Sequence, residues 1–440
     1  MRASIRASQG LQGRCKLPGD KSLSHRAALF AALATGESRF ENMLDAGVTR
    51  AMLDALTQLG VEYEFSDGVL RMQGKGPEGL KTPQAHLDCG HSATTMRLLA
   101  GALGGAGVGA VLDGSSGLRR RPMARVAEPL RAMGVAIQTA PGGTAPLQLE
   151  ARPVSQALMG GSFQLKVASA QVKTAILLAG LGAQEAVTVQ EPGPSRDHTE
   201  RLLAAMGAAI EQVGKYSVRL HPTRSPLQPL RMRLPGDISS AAFLMVAALI
   251  SPHSDLELAD VGLNPTRAGI LDALDFMGAD IRVFPQAQTS GGEPVGDVQV
   301  KSSSLRGVLV EGPLVVRMID EFPAFAVAAA FAQGRTEVRQ AAELRHKESD
   351  RITALCTQLA RLGAQVEEGA DGFVIHGGRP LAGGVQVEHY GDHRLAMALC
   401  IAGLRTEDPV VVDQIEIIEQ SFPGFLDLLG SLGAEVRRWA

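Results

Sequence analysis

Apolar residues recur at helical spacing in Met52, Leu53, Leu56 and Leu59, a glycine follows at Gly60, and alternation begins with Val61, Tyr63 and Phe65. That succession predicts a helix, a glycine that closes it, and a half-buried strand. It occurs six times. ALTQLGVEYE, PLRAMGVAIQ and LLAAMGAAIE stand in the first half of the chain, and ALDFMGADIR, QLARLGAQVE and LLGSLGAEVR in the second. Their glycines, Gly60, Gly134, Gly207, Gly278, Gly363 and Gly433, are spaced by 74, 73, 71, 85 and 70 residues. The long fourth interval contains Pro285 to Gly296, a stretch rich in Gly, Gln and Pro that reads as a loop insertion.

A longer-range repeat groups these units in threes. LPGDKSLSHR (Leu17 to Arg26) has a partial copy 217 residues later, LPGDISSAAF (Leu234 to Phe243). At nearly the same offset, VTRAMLDALTQLG (Val48 to Gly60) resembles PTRAGILDALDFMG (Pro265 to Gly278). Units of about 70 residues are longer than solenoid repeats, so two closed α/β domains are expected rather than an open superhelix. The cleft between two such domains is the expected active site.

The two LPGD segments share a turn and a helix start, set by Pro, Gly and Asp. Only the first goes on to present Lys21, Ser22, Ser24, His25 and Arg26. A helix start favours anions through its free amides and dipole, so these additions suggest a phosphate or carboxylate ligand. Read alone, the segment fits a solvated first turn equally well.

The composition narrows the choice. With 440 residues, 45% hydrophobic and 20% charged, the chain can bury more than one core. Its 43 basic against 46 acidic residues leave a net charge of −3, with no bulk attraction to nucleic acid or anionic membranes. Any anion site must be local. The aromatics, 13 Phe, 3 Tyr and 1 Trp, supply base-stacking platforms poorly. Cys15, Cys89, Cys356 and Cys400 lack a paired spacing, which argues against a zinc ribbon or a disulfide framework and favours a reducing compartment. The start MRASIRASQG lacks the core of a signal peptide, and the longest apolar stretch, Ala241 to Ile250, is too short to span a bilayer. A cytoplasmic protein is expected.

Candidate chemistry lies in seven further segments: CGHSATTMR (Cys89 to Arg97), SSGLRRRPM (Ser115 to Met123), VASAQVKTA (Val167 to Ala175), EPGPSRDHTER (Glu191 to Arg201), MIDEFP (Met318 to Pro323), ELRHKESDR (Glu343 to Arg351) and YGDHRLAM (Tyr390 to Met397). Each has a plain reading. Arg119, Arg120 and Arg121 would make a solvated turn; HKESDR would make an ion-paired helix start, and Asp392, His393 and Arg394 a capping group. Asp320 and Glu321 would be exposed loop acids, and Ser169 and Gln171 a helix cap. Taken together, the cations near Lys21, Arg121, Arg196, Lys347, Arg351 and Arg394 exceed what one phosphate needs and would suit two polyanions. Asp320 and Glu348 would then supply general acid and base groups. A Walker-type loop needs Gly directly before Lys, where Asp20 stands here. His346 and His393 lack partners at metal-ligand spacing.

These motifs, in this combination and order, closely resemble the 5-enolpyruvylshikimate-3-phosphate (EPSP) synthase family over essentially the full chain. The resemblance implies a two-domain inside-out α/β barrel of six βαβαββ repeats, three per domain. Domain I would comprise residues 1–19 and 237–440, and domain II residues 20–236. It further implies transfer of the enolpyruvyl group of phosphoenolpyruvate to the 5-hydroxyl of shikimate 3-phosphate, without metal or cofactor, in a bacterial cytoplasmic monomer. Lys21, Ser22, Arg26, Ser169, Ala170, Gln171, Arg196, Asp320 and Lys347 match the motif positions that hold shikimate 3-phosphate. Lys21, Ala93, Gln171, Arg121, Arg351 and Arg394 match those for phosphoenolpyruvate. Asp320 would accept the hydroxyl proton, and Glu348, with Lys21, would donate one to the methylene carbon.

The chain departs from the family pattern at four positions. His91, Ser92 and Ala93 replace the usual Asn, Ala and Gly, and Gln420 replaces a Lys often found before the Ser-Phe-Pro step. The Ala93 methyl should crowd any ligand longer than phosphoenolpyruvate, which implies weak inhibition by glyphosate, as in insensitive members of the family. UDP-N-acetylglucosamine enolpyruvyl transferases, the rival within this fold, show Lys-Asn where Lys21 and Ser22 stand. They also carry a Cys near the arginine-rich turn, absent from Ser115 to Met123. A non-catalytic α/β repeat scaffold would instead spread its cations and acids over outer faces.

Overall fold

The computed structural model describes residues 1–439 except 154–155, 223–224, 287–288 and 290. It divides into two units: Gly19–Leu234 with Gln288–Glu293, and Met1–Pro18 with Pro235–Ala287 and Pro294–Ala440. Each has its own hydrophobic core. Gln288–Glu293 was expected with the second half of the chain but groups with the first-half unit, where buried Glu293 bonds to buried His198 at 2.9 Å. The insertion expected at Pro285 to Gly296 lies partly outside the described residues. Strands Asp280–Pro285 and Val295–Lys301 flank it.

Among the described residues each unit builds three four-stranded sheets of one topology, a parallel pair at one edge followed by two antiparallel pairings. In the first-half unit, for example, Gly161–Gln164 runs parallel to Val187–Gln190, which pairs antiparallel with Ser217–Leu220, and that strand with Ile210–Gly214. The linear order strand, helix, strand, helix, strand, strand is the βαβαββ repeat. Three sheets borrow a strand from a distant part of the sequence. Gln12–Lys16 lies parallel to Asp255–Ala259. Arg231–Arg233, just before the second LPGD segment, lies parallel to Arg39–Glu41 of the first repeat. Arg2–Arg6 fills the place between Val410–Val412 and Glu435–Trp439 in the last. The N-terminal strands therefore belong with the C-terminal half.

Within every repeat the two helices differ. Lys21–Leu33, Ala93–Ala106 and Ala170–Gly180 in one unit, and Ile238–Ile250, Phe322–Phe331 and His393–Ala402 in the other, are buried on nearly every side. Their lack of a polar face excludes a solvent-facing position. The companion helices are amphipathic. Gly47–Gln58 buries Val48, Thr49, Met52, Leu53, Ala55 and Leu56, and with Leu59 just beyond it these include the whole stripe read from the sequence. Glycines 60, 134, 207, 278, 363 and 433 all take φ between 82° and 111°, a region open to glycine at little cost.

Gly101 does something different. A Cβ there would lie 2.3 Å from the Ala175 carbonyl oxygen, so its absence lets helices Ala93–Ala106 and Ala170–Gly180 pack backbone to backbone. Their N-termini, which carry Ala93 and Gln171, meet as a result. No helix among the described residues is long and apolar enough to cross a membrane.

Candidate active site

In the first-half unit the site is assembled from helix starts. Asp20 caps helix Lys21–Leu33 by accepting the Leu23 N–H at 2.9 Å, which places Lys21 at the first helical position. One turn on, Arg26 is fully buried and donates to the Ser22 carbonyl, Thr174 Oγ1 and Thr199 Oγ1 at 2.8–2.9 Å. Burial lowers its pKa to about 10, only partly countered by Glu200, so it stays charged at neutral pH. Arg196 donates to Ser22 Oγ at 3.2 Å. The structure thus brings Ser22, Arg26 and Arg196 together.

Ser169 stands at the N-cap of helix Ala170–Gly180, yet its hydroxyl makes no capping bond. Gln171 points elsewhere too, donating to Thr94 Oγ1 at 2.8 Å and accepting from Arg97 Nη1 at 2.6 Å. The plain capping reading of this pair therefore fails. Arg97, also bonded to the Pro122 carbonyl at 2.8 Å, ties Gln171 to the chain directly after Arg121. Sequence reasoning left Arg97 out of the candidate set. Its signal was an arginine at the fifth position of a helix whose remaining buried residues are mainly apolar.

The arginine row divides. Arg119 pairs with Asp113 and Arg120 is exposed, as a solvated turn would have it, whereas Arg121 is half-buried. Ala93 is buried at the first position of helix Ala93–Ala106 behind the N-cap Ser92. Ser92 accepts from the Thr95 N–H at 3.1 Å and lies 3.0 Å from His25 Nε2. His25 Nδ1 is 2.7 Å from the Lys21 carbonyl, an acceptor only, so the proton sits on Nδ1 and Ser92 donates to Nε2. Burial, reinforced by the charges on Lys21 and Arg26, lowers the His25 pKa to about 4. His91 bonds to Ser115 at 3.0 Å, so two of the three departures in this loop form contacts of their own.

The second-half unit carries a tighter cluster. Arg351 opens helix Arg351–Arg361, is fully buried, and reaches Asp392 at 2.7 Å, Glu348 at 2.8 Å and Asp320 at 3.5 Å. Burial alone would lower its pKa; Asp392 and Glu348 reverse this and hold it above the ordinary value. Burial would likewise raise Asp392, and Arg351 pulls it below the usual carboxylate range. Lys347 lies 3.2 Å from Asp320 Oδ1, and Arg394, also buried, donates to the Asp320 carbonyl at 3.3 Å. Asp320, Lys347, Glu348, Arg351 and Arg394 are thus one connected group. The capping readings hold here at the same time, since Asp350 caps Arg351–Arg361 and Asp392 caps His393–Ala402 through the Arg394 N–H. Asp320 and Glu321, by contrast, are not exposed loop acids: Glu321 is fully buried and Asp320 half-buried. Gln420 ends the short helix Ile415–Gln420.

Such a group can hold a planar anionic ligand through its guanidinium donors while a carboxylate beside it takes a proton. Among the described residues no set of three His, Cys, Asp or Glu is placed to hold a metal ion. Arg26, Arg351 and Arg394 are buried, and Lys21, Arg121, Arg196 and Lys347 are half-buried, which is not how a scaffold with charges on its outer faces would look.

The family model described as EPSP synthase (3-phosphoshikimate 1-carboxyvinyltransferase) matches residues 5–429. The chain belongs to the EPSP synthase family. A 3-phosphoshikimate 1-carboxyvinyltransferase of Desulforudis audaxviator is 48% identical over 99% of this chain and 100% of its own length. One of Syntrophotalea carbinolica is 47% identical over 97% and 98%. An EPSP synthase structure from Acinetobacter baumannii matches with a TM-score of 0.87 at 40% identity, over 99% of this chain and 100% of that one. The two-domain α/β fold and the enzyme class follow.

Proposed function

We propose that the two clusters, one in each unit, act on a single pair of substrates. The reaction is transfer of the enolpyruvyl group of phosphoenolpyruvate to the 5-hydroxyl of shikimate 3-phosphate, with release of phosphate. Lys21, Ser22, Arg26, Ser169, Ala170, Gln171 and Arg196 hold shikimate 3-phosphate, with Asp320 and Lys347 at the reacting hydroxyl. Lys21, Ala93, Gln171, Arg121, Arg351 and Arg394 surround phosphoenolpyruvate. Two phosphorylated acids repel each other strongly in low dielectric, which is why so many fixed cations are required.

Asp320 takes the hydroxyl proton as the oxygen attacks C2 of the enolpyruvyl group. Glu348, with Lys21, gives a proton to the methylene carbon, completing a tetrahedral intermediate. Elimination reverses the second transfer: a methyl proton returns to Glu348 and the C2–O bond to phosphate breaks. The observation that carries this reading is the contact of Asp320 with Lys347 and Arg351 on one side and of Arg351 with Glu348 on the other, a base and an acid joined by a shared cation. The enzyme works as a cytoplasmic monomer.

Phosphate release tests the reading. It is expected with phosphoenolpyruvate and shikimate 3-phosphate together, and with neither alone nor with a UDP-sugar as acceptor. Asp320→Asn and Lys21→Ala should each lower kcat by about a hundredfold or more with an unchanged melting temperature, the usual weight of a general acid or base. Near-normal turnover in either removes that residue from the catalytic set.

A further inference from the structure

Behind the residues assigned to shikimate 3-phosphate lies a buried ion cluster that the mechanism does not use. Glu191 follows strand Val187–Gln190 and is almost wholly buried. Its Oε1 accepts the Ser169 backbone N–H at 3.1 Å, and its Oε2 accepts from Ser195 Oγ at 2.8 Å and pairs with Lys173 Nζ at 2.8 Å. Lys173, one turn into helix Ala170–Gly180, also pairs with Glu200 of helix His198–Ala205 at 2.7 Å. Burial opposes charge on Lys173, but Glu200 and Glu191 outweigh it and hold the ammonium form.

One carboxylate therefore fixes the start of the segment bearing Ser169, Ala170 and Gln171 and, through Ser195, the residue next to Arg196. Arg196 in turn donates to Ser22. Buried ion pairs seldom add stability over apolar packing of the same volume, but they can fix a unique geometry. We infer that Glu191 and Lys173 are positioning residues that set the spacing between Ser169 and Arg196, and so determine affinity for the phosphate end of shikimate 3-phosphate. This inference rests on the assignment of Ser169 and Arg196 to that substrate.

Glu191→Gln keeps an oxygen acceptor but loses one of the two charges that hold Lys173, leaving Glu200. It should raise KM for shikimate 3-phosphate by about tenfold, the weight of one charge-assisted hydrogen bond, while KM for phosphoenolpyruvate and kcat stay within about twofold. If that variant does not fold, Glu191→Gln combined with Lys173→Met and Glu200→Gln leaves no charge of the cluster buried and should show the same split. Equal changes in both KM values, or a loss confined to kcat, would overturn the inference. Ser169→Ala and Arg196→Met serve as controls. If they leave KM for shikimate 3-phosphate unchanged, the site assignment fails; if they raise it and the Glu191 variants do not, only the positioning role fails.

Discussion

At Ala93 a single methyl group separates two expectations about inhibitors. The residue is buried at the first position of its helix, and on the assignment proposed above a ligand longer than phosphoenolpyruvate would meet its methyl group. Glyphosate should inhibit weakly, and Ala93→Gly should tighten it by about tenfold or more, as removing one steric conflict allows. Tight inhibition of the unaltered enzyme, unchanged or weaker in the variant, would refute this. His25 carries a different prediction. Its folded pKa of about 4 lies below the unfolded value near 6.5, so its contribution is complete above about pH 6.5 and is lost as pH falls towards 4. Urea midpoints across that window should fall more steeply than in His25→Gln; parallel curves would show that the ring is not held neutral. Asp392→Ala leaves Arg351 buried with a reduced set of acids and should cost about 3–5 kcal/mol of unfolding free energy. A loss below about 1 kcal/mol would mean Glu348 and Asp320 suffice.

The helix–glycine–strand unit accounts for most of what could be read at the level of elements. A glycine that closes a helix in the left-handed region leaves its mark in any one copy, and six copies at near-constant spacing make the mark unmistakable. Gly278 isolates the backbone term, because a Cβ there meets nothing within 4 Å and φ is 82°. Gly278→Ala should therefore destabilise by about 1–2 kcal/mol through conformation alone, measurable by urea unfolding. No effect would show that the turn relaxes. Helix starts were also readable, since Asp20, Ser92, Asp237, Asp350 and Asp392 all cap as their residue types suggest. What periodicity could not give was the path of Gly101, whose missing side chain lets two buried helices touch. Nor could it show that Ser169 and Gln171 turn away from capping, because a cap and a ligand contact call for the same residue types.

For the whole molecule, the borrowed strands matter most. Arg2–Arg6 sits inside its sheet, hydrogen-bonded on both edges, and Gln12–Lys16 lies along Asp255–Ala259 of another. Removing residues 1–16 should abolish folding of the C-terminal half, seen as lost helical circular dichroism, whereas an unstructured extension would be dispensable. Local pattern and composition, which depend only on near neighbours, determined the repeated unit, its grouping in threes, the absence of bulk charge for polyanions and the identity of the residues able to do chemistry. Tertiary structure alone decided which of those residues meet. Asp320, Glu348, Arg351 and Arg394 are scattered over 75 positions, and only the packing of buried helix starts against one another joins them. The same holds for Glu191 and Lys173: each looks like an ordinary surface charge in sequence, and burial beside the other makes it a structural hinge pin for the site. The reason is physical, since the energy of a charge is set by what surrounds it, and the chain order does not record that.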